Sequence, residues 1–231
     1  MNWHNSKMSE NFWAVLWDLD GTLVDSEEYH WRSWKETMER EGIALTYETF
    51  LASFGQRNDA ILNGWLGVGA SKQNIERIGD AKEARYRELV RLEGLAPLPG
   101  AAEWVERLNN EGWRQAVASS APRKNVDTVL EALGLGKWFQ ATVSAEDVQI
   151  GKPDPQVFLI AASRVGATPE TSIVVEDAAA GVEASRRAGM RSIGVGKNAH
   201  TLGADLAALK LSDLAPDVFV SMLVRRTVDS E

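Results

Sequence analysis

The sequence predicts an α/β protein: a Rossmann-like, doubly wound parallel sheet with an all-α segment inserted after its first strand. Three observations lead there. The run Phe12-Trp13-Ala14-Val15-Leu16-Trp17 is short, continuously apolar and followed at once by acidic residues, as for a strand covered on both faces. Beyond Pro97, strand-like and helix-like segments alternate with short connections, the pattern of βα units that close a parallel sheet. Between these two regions, residues 25–96 carry helical periodicity and no strand pattern. A chain of 231 residues is long enough to bury the core of such a domain together with an insert.

Taken in order, Gly21-Thr22-Leu23-Val24 leads to Asp25 and Glu28, a helix-start signature, followed by Trp31, Trp34 and Met38 at helical spacing as far as Gly42. Helical periodicity returns in Ala60-Ile61-Leu62 and from Ala81 to Leu92. Pro97-Leu98-Pro99-Gly100 is the strongest break in the chain, and Pro99 is suited to open the next helix. The expected division is therefore 1–24 with 97–231 as the sheet domain, and 25–96 as the helical insert. The sheet domain is then predicted to run through helix Ala101 to Asn110, strand Trp113 to Ser119, helix Arg123 to Leu133 and strand Ala141 to Ser144. Helix Asp154 to Val165, strand Ser172 to Glu176, helix Ala178 to Ala188 and strand Arg191 to Val195 follow. From Leu209 on, the expectation is an edge strand at Val218 to Val220 and a frayed tail.

Composition narrows the function. Hydrophobic residues at 44% and charged residues at 25% are ordinary for a globular protein and exclude a disordered or fibrous chain. A net charge of −8 without a Lys/Arg-rich run argues against a nucleic-acid partner. The absence of cysteine excludes disulfides, thiolate metal sites and a cysteine nucleophile. Met1 to Asn11 are polar and lack the apolar centre of a secretory signal, and no stretch approaches the ~18 apolar residues of a membrane span. A cytoplasmic protein with no membrane partner is expected. The nine tryptophans are read as core and lobe-interface packing.

In a doubly wound sheet the ligand lies beyond the carboxyl ends of the strands. There the sequence places Asp18-Leu19-Asp20-Gly21-Thr22 after the first strand, Ser119-Ser120 after the second, Gly151-Lys152-Pro153 after the third and Glu176-Asp177 after the fourth. Such a set suits phosphoryl transfer, which needs a carboxylate nucleophile, a proton carrier, a hard divalent cation and donors for phosphate oxygens. Asp18, Asp20, Glu176 and Asp177 with one lysine would repel a phosphate dianion unless a cation such as Mg²⁺ sat among them. Gly21 lets the chain turn sharply beneath a bound phosphate. Each residue also has a plainer use: acidic residues after strands cap helices, Lys152 among prolines suits a solvated turn, and serine is common at strand ends.

Asp-x-Asp-Gly-Thr after a first strand resembles the nucleophile motif of the haloacid dehalogenase superfamily, and Ser119, Lys152 and Glu176-Asp177 resemble its three later motifs in order. The resemblance spans Phe12 to Gly196. It implies Asp18 as the nucleophile that becomes an aspartyl-phosphate, Asp20 as general acid and base, and Ser119 and Lys152 as holders of phosphate oxygens. It further implies Mg²⁺ held by Asp18, Asp20 through its backbone carbonyl, Glu176 and Asp177. The second aspartate sets the chain apart from the dehalogenase branch, which lacks it.

The insert resembles the helical C1 cap of subfamily I, in particular that of its β-phosphoglucomutase and sugar-phosphatase members. Glu28-Tyr29-His30-Trp31-Arg32-Ser33-Trp34-Lys35 places His30 where the mutases have a hinge histidine, and Phe54-Gly55-Gln56-Arg57 places Arg57 like a cap arginine for a distal phosphate. Lys82 falls near a second cap lysine, though it also suits a solvated face of alternating charge. With Thr22, Ser120 and Asn125, these residues make up the substrate-binding set that the resemblance implies. Ser119-Ser120-Ala121-Pro122-Arg123-Lys124-Asn125 is longer than the mutase loop and closer to the sugar phosphatases.

The leading expectation is a Mg²⁺-dependent phosphohydrolase for small sugar or polyol phosphates, monomeric or weakly dimeric. A β-phosphoglucomutase-like isomerase is the rival. A regulatory binding protein of the same fold is a third reading, against which the Asp18/Asp20 pair argues, since binding alone needs no proton carrier.

Overall fold

A computed structural model describes residues 12–53, 56–67 and 69–228; the readings made above for 1–11 and for the tail past 228 lie outside these residues, as do Phe54 and Gly55. Six strands, β1 (Ala14–Trp17), β2 (Arg114–Ala118), β3 (Ala141–Val143), β4 (Ser172–Glu176), β5 (Arg191–Val195) and β6 (Leu206–Ala208), form one sheet in the order β3-β2-β1-β4-β5-β6. All neighbouring pairs are parallel. The strand order reverses at β1, so the crevice beyond its carboxyl end is where a ligand site is expected.

The sheet is apolar on both faces because alternate residues of each strand are claimed by different helices. The insert after β1 supplies four helices: α1 (Glu27–Arg40), α2 (Tyr47–Ser53), α3 (Asn58–Leu66) and α4 (Lys72–Glu93). Five more are α5 (Ala101–Asn110), α6 (Arg123–Leu133), α7 (Gln156–Arg164), α8 (Ala179–Arg187) and α9 (Val218–Val228). Val15, Trp17, Val117, Ile173, Val175 and Ile193 pack on one face with residues of α5, α6 and α9. Ala14, Leu16, Ala116, Ala118 and Val174 pack on the other with residues of α7 and α8. Inside the first layer, Trp17 Nε1 donates to Gln115 Oε1 at 3.0 Å and Gln115 Nε2 donates to the Val105 carbonyl at 2.8 Å, so both polar atoms of a buried glutamine side chain are bonded.

The insert has its own apolar cluster of Trp34, Met38, Phe50, Ile61, Leu62 and Ile78. Its two connections to the sheet run side by side: Val24 bridges Pro97 antiparallel, and Leu98 N donates to the Leu23 carbonyl at 2.9 Å. The long α4 reaches back onto α6, where an Arg91 guanidinium nitrogen donates to Thr128 Oγ1 at 3.2 Å. The helices therefore stand over the carboxyl end of β1.

Three sequence expectations are corrected. The edge strand placed at Val218 to Val220 is the first turn of α9; Val218, Phe219, Met222 and Leu223 all face the core, a helical spacing that the β-branched start conceals. The sheet edge is instead β6, whose Leu206-Ala207-Ala208 carries a helix-favouring composition. The helix expected to open at Asp25 opens at Glu27, with Ser26 as its N-cap, and α2 was not foreseen although the Thr46 hydroxyl accepts from Thr49 N at 3.2 Å and starts it.

Candidate active site

Asp18 continues β1, its N–H donating to the Val175 carbonyl of β4 at 3.0 Å. Lys152 Nζ stands between two strand ends, donating to Asp18 Oδ1 at 2.5 Å and to Glu176 Oε1 at 2.6 Å. The other Glu176 oxygen accepts from Ala178 N at 2.8 Å. Asp177 completes the group: Asp18, Glu176 and Asp177 each offer a carboxylate oxygen, all within 4.8 Å of one another. Gly21 sits beneath it at φ 83°, and a Cβ there would overlap the Asp177 carboxylate.

This cluster holds more negative charge than its one ammonium balances. Burial pushes the Asp18 carboxyl well up, Glu176 and Asp177 add to the rise, and Lys152 opposes it. Burial and Glu176 push Asp177 up to about 7. Lys152 is raised although burial works against it, because Asp18 and Glu176 favour its charged form. An all-oxygen donor set that resists ionisation fits a hard divalent cation such as Mg²⁺.

Asp20 is set differently. Ser26 Oγ donates to Asp20 Oδ1, and His30 Nε2 lies 3.4 Å from the same oxygen. Burial would raise the Asp20 carboxyl, but the contacts with His30 and Ser26, and the nearby Lys82 charge, hold it below the usual range. His30 Nδ1 lies 2.8 Å from Lys82 Nζ. An ammonium can only donate, so Nδ1 accepts and Nε2 carries the hydrogen that faces Asp20. His30 is also stacked on Tyr86, with ring centroids 4.1 Å apart.

From Lys82 the polar chain runs into the junction between insert and sheet domain. Lys82 Nζ donates to Glu83 Oε1 at 2.8 Å, and Asn58 Nδ2 donates to the same oxygen at 2.7 Å. Asn125 Nδ2, from α6, donates to Glu83 Oε2, while an Arg87 guanidinium nitrogen donates to Asn125 Oδ1 at 2.8 Å. Lys82, which a pattern of alternating charge would leave in solvent, is 2% exposed, with its ammonium over the rings of Trp34 and Tyr86. Asn125, expected on a phosphate, is buried and occupied by Glu83 and Arg87. Thr22, also expected on substrate, is fully buried and directs its hydroxyl to Asp177 Oδ1 at 3.4 Å.

Arg57 lines a small cavity with Ser119, Ser120, Gly151 and Lys152. It is half-exposed, 3.4 Å from Asp59 Oδ1, and passes close over Gly151. Ser119 Oγ accepts from Ala121 N at 3.0 Å, which leaves its hydrogen for another acceptor. The wall formed by Ala145 and Val148 is pinned through Asp147, which accepts from Ser144 N at 2.8 Å and pairs with Arg123 and Arg164.

Sequence reasoning thus placed Asp18, Asp20, Ser119, Ser120, Lys152, Glu176 and Asp177 where the structure brings them together. It missed Ser26, Glu83 and Tyr86. For Ser26 the sequence offered only a serine at a helix start, which ordinarily caps the helix; that its hydroxyl makes no capping bond and goes to Asp20 is seen only in the structure. For Glu83 and Tyr86 there was no signal, because Asn58 and Asn125, which join Lys82 on Glu83, and His30, which stacks on Tyr86, come from other helices.

The haloacid dehalogenase-like hydrolase family profile matches residues 15–195 of the chain. A β-phosphoglucomutase of Bacillus subtilis is 34% identical over 209 residues, covering 87% of this chain and 91% of that one. Hexitol phosphatase B of Escherichia coli is 34% identical over 186 residues, covering 78% and 82%. Among solved structures, a β-phosphoglucomutase from Clostridium difficile superposes with a TM-score of 0.84 over 94% of this chain and 99% of that one, at 24% identity, a likeness of fold.

Proposed function

Because the chain belongs to the haloacid dehalogenase-like hydrolase family, we propose that it hydrolyses small sugar or polyol phosphates through an aspartyl-phosphate formed on Asp18. The observation that carries this reading is the Lys152 ammonium seated between Asp18 and Glu176 with Asp177 beside them, a charge-compensated nucleophile at the switch point of the sheet. In the first half-reaction an Asp18 oxygen attacks phosphorus, the bond to the sugar oxygen breaks, and Asp20 gives that oxygen a proton. In the second, Asp20 takes a proton from the water that attacks phospho-Asp18; phosphate leaves and the carboxylate returns. The lowered Asp20 pKa keeps the carboxylate ionised and so able to accept a proton, though as a weaker base, and the proton it gives in the first step must therefore be taken up as the substrate binds. Lys152 and Ser119 hold phosphate oxygens throughout.

Asp18, the Asp20 carbonyl, Glu176 and Asp177 are the groups that would hold Mg²⁺, which supplies neutralisation of the carboxylates and polarisation of a phosphoryl oxygen. Helices α1 to α4 serve as a cap that excludes water from the closed site. The substrate class rests on the relative named hexitol phosphatase B. The β-phosphoglucomutase reading is favoured by the Bacillus subtilis relative and by Arg57 lining the same cavity as Ser120 and Lys152, a cation from the insert suited to pairing with a second phosphate. Hydrolysis is preferred because Asn125 is held by Glu83 and Arg87, one group fewer for a second phosphate.

A panel of sugar and polyol phosphates, including β-glucose 1-phosphate with a trace of the bisphosphate, separates the readings when both free phosphate and glucose 6-phosphate are measured. Phosphate release in excess is expected. Isomerisation at least roughly tenfold faster than release, and lost in Arg57→Ala, makes the enzyme a mutase.

A further inference from the structure

We propose that Gly181 is a positioning residue for the reaction: its missing side chain is the space that lets the Glu176 carboxylate reach Lys152. The inference rests on the phosphohydrolase reading for its consequence, but on packing for its content. Gly181 is the third residue of α8, in its first turn just after the Glu176-Asp177 motif, and it is buried. It is not among the glycines with positive φ, so backbone conformation does not require glycine there. Glycine is in fact a poor helix former beside alanine. Space is what requires it. A Cβ built on Gly181 would overlap Oε1, Cδ and Cγ of Glu176 together, so no small rotation of the carboxyl group clears it.

The Glu176 side chain therefore folds back over the start of its own following helix and fills the place of the absent methyl. There one oxygen accepts from Ala178 N at 2.8 Å and the other from Lys152 Nζ at 2.6 Å. Glu176 is 1% exposed, so a displaced carboxylate has no solvent-facing position close by. A methyl at 181 would cost Lys152 one of its two carboxylates and leave Ala178 N without its acceptor. The ammonium would then lean on Asp18 alone, which is the group that must be free to attack. Gly21 makes a comparable contact with Asp177, but its φ of 83° demands glycine anyway; at Gly181 the steric role stands by itself.

The test is a double-mutant cycle on the full chain with Gly181→Ala, Glu176→Ala and both together. Three quantities are read: Tm in EDTA, the apparent Mg²⁺ affinity from the Mg²⁺-dependent rise in Tm, and kcat and KM with p-nitrophenyl phosphate. Gly181→Ala is expected to lower Mg²⁺ affinity and kcat by roughly tenfold or more with little change in KM. In the Glu176→Ala background the same substitution should change Mg²⁺ affinity and kcat by less than about twofold and leave Tm equal or higher, because nothing remains for the methyl to strike. Should Gly181→Ala fail to fold, folding restored by Glu176→Ala supports the proposal and failure of both overturns it. Wild-type behaviour of Gly181→Ala, or an equal penalty in both backgrounds, overturns it as well. The Tm cycle in EDTA uses neither metal nor substrate, so lack of turnover on every ester would remove the phosphohydrolase reading while leaving this one to be judged on the coupling.

Discussion

Replacing Glu83 with glutamine tests the junction between the helical insert and the sheet domain. Glu83 is 6% exposed and is the common acceptor of Lys82, Asn58 and Asn125. Burial opposes its ionisation, but Lys82, His30 and Asn58 bring the carboxyl from an ordinary 4.5 down to about 2. At roughly 1.4 kcal/mol per pH unit, that difference corresponds to about 3 kcal/mol of folding stability. A second route agrees: removing one partner of a buried ion pair costs about 3–5 kcal/mol, because the other charge stays buried and uncompensated. Glu83→Gln also sets an amide N–H₂ against the Asn125 donor. A folded pKa below the unfolded one means the stabilisation is complete above pH 4.5 and is lost as pH falls toward about 2. Urea denaturation of the variant at pH 7, followed by tryptophan fluorescence, should therefore show about 3 kcal/mol less stability, and the part of the acid slope due to this group should vanish. A loss below about 1 kcal/mol would refute the claim that Lys82 and Glu83 form a closed, buried pair.

Asp18→Asn should lower phosphate release by roughly four orders of magnitude, since the amide cannot attack phosphorus, with an unchanged circular dichroism spectrum. Its Tm in EDTA should equal or exceed that of the parent, because burial and the Glu176 and Asp177 charges disfavour the carboxylate that is removed. EDTA should stop turnover and Mg²⁺ restore it, whereas Ca²⁺, with its larger and looser shell, should inhibit; full activity in Ca²⁺ counts against the carboxylate site. Gln115→Leu should cost about 1–3 kcal/mol in Tm-derived stability by leaving the buried Trp17 Nε1 without an acceptor, while the Val105 carbonyl keeps its bond within α5, and a near-neutral result contradicts the buried hydrogen bond.

The strands were legible because each is a short apolar run that ends at a change of composition. Ser172 to Glu176 and Arg191 to Val195 match β4 and β5 residue for residue. The edge was not, since Val218-Phe219-Val220 satisfies strand composition while Met222 and Leu223, one turn on, complete a helical face toward Trp17 and Trp104. Only the docking of Phe219 against Trp17 of the sheet and Trp104 of α5 decides between the two.

The chemistry was legible for a related reason. In a parallel sheet every carboxyl end points the same way, so Asp18, Ser119, Lys152 and Glu176 converge however far apart they lie in the chain. The motifs and their order thus followed from the sequence alone, and the family from the motifs. What tertiary structure decided is which charges are buried and what they touch. Lys82 reads as a surface lysine until α1 and α4 close around it with Trp34, His30 and Tyr86, and Asn125 reads as a phosphate ligand until α4 lays Glu83 and Arg87 against it. Periodicity reports which face of a helix is apolar; it carries no record of which other helix will dock there, and the protonation and partners of a buried side chain are set by that docking.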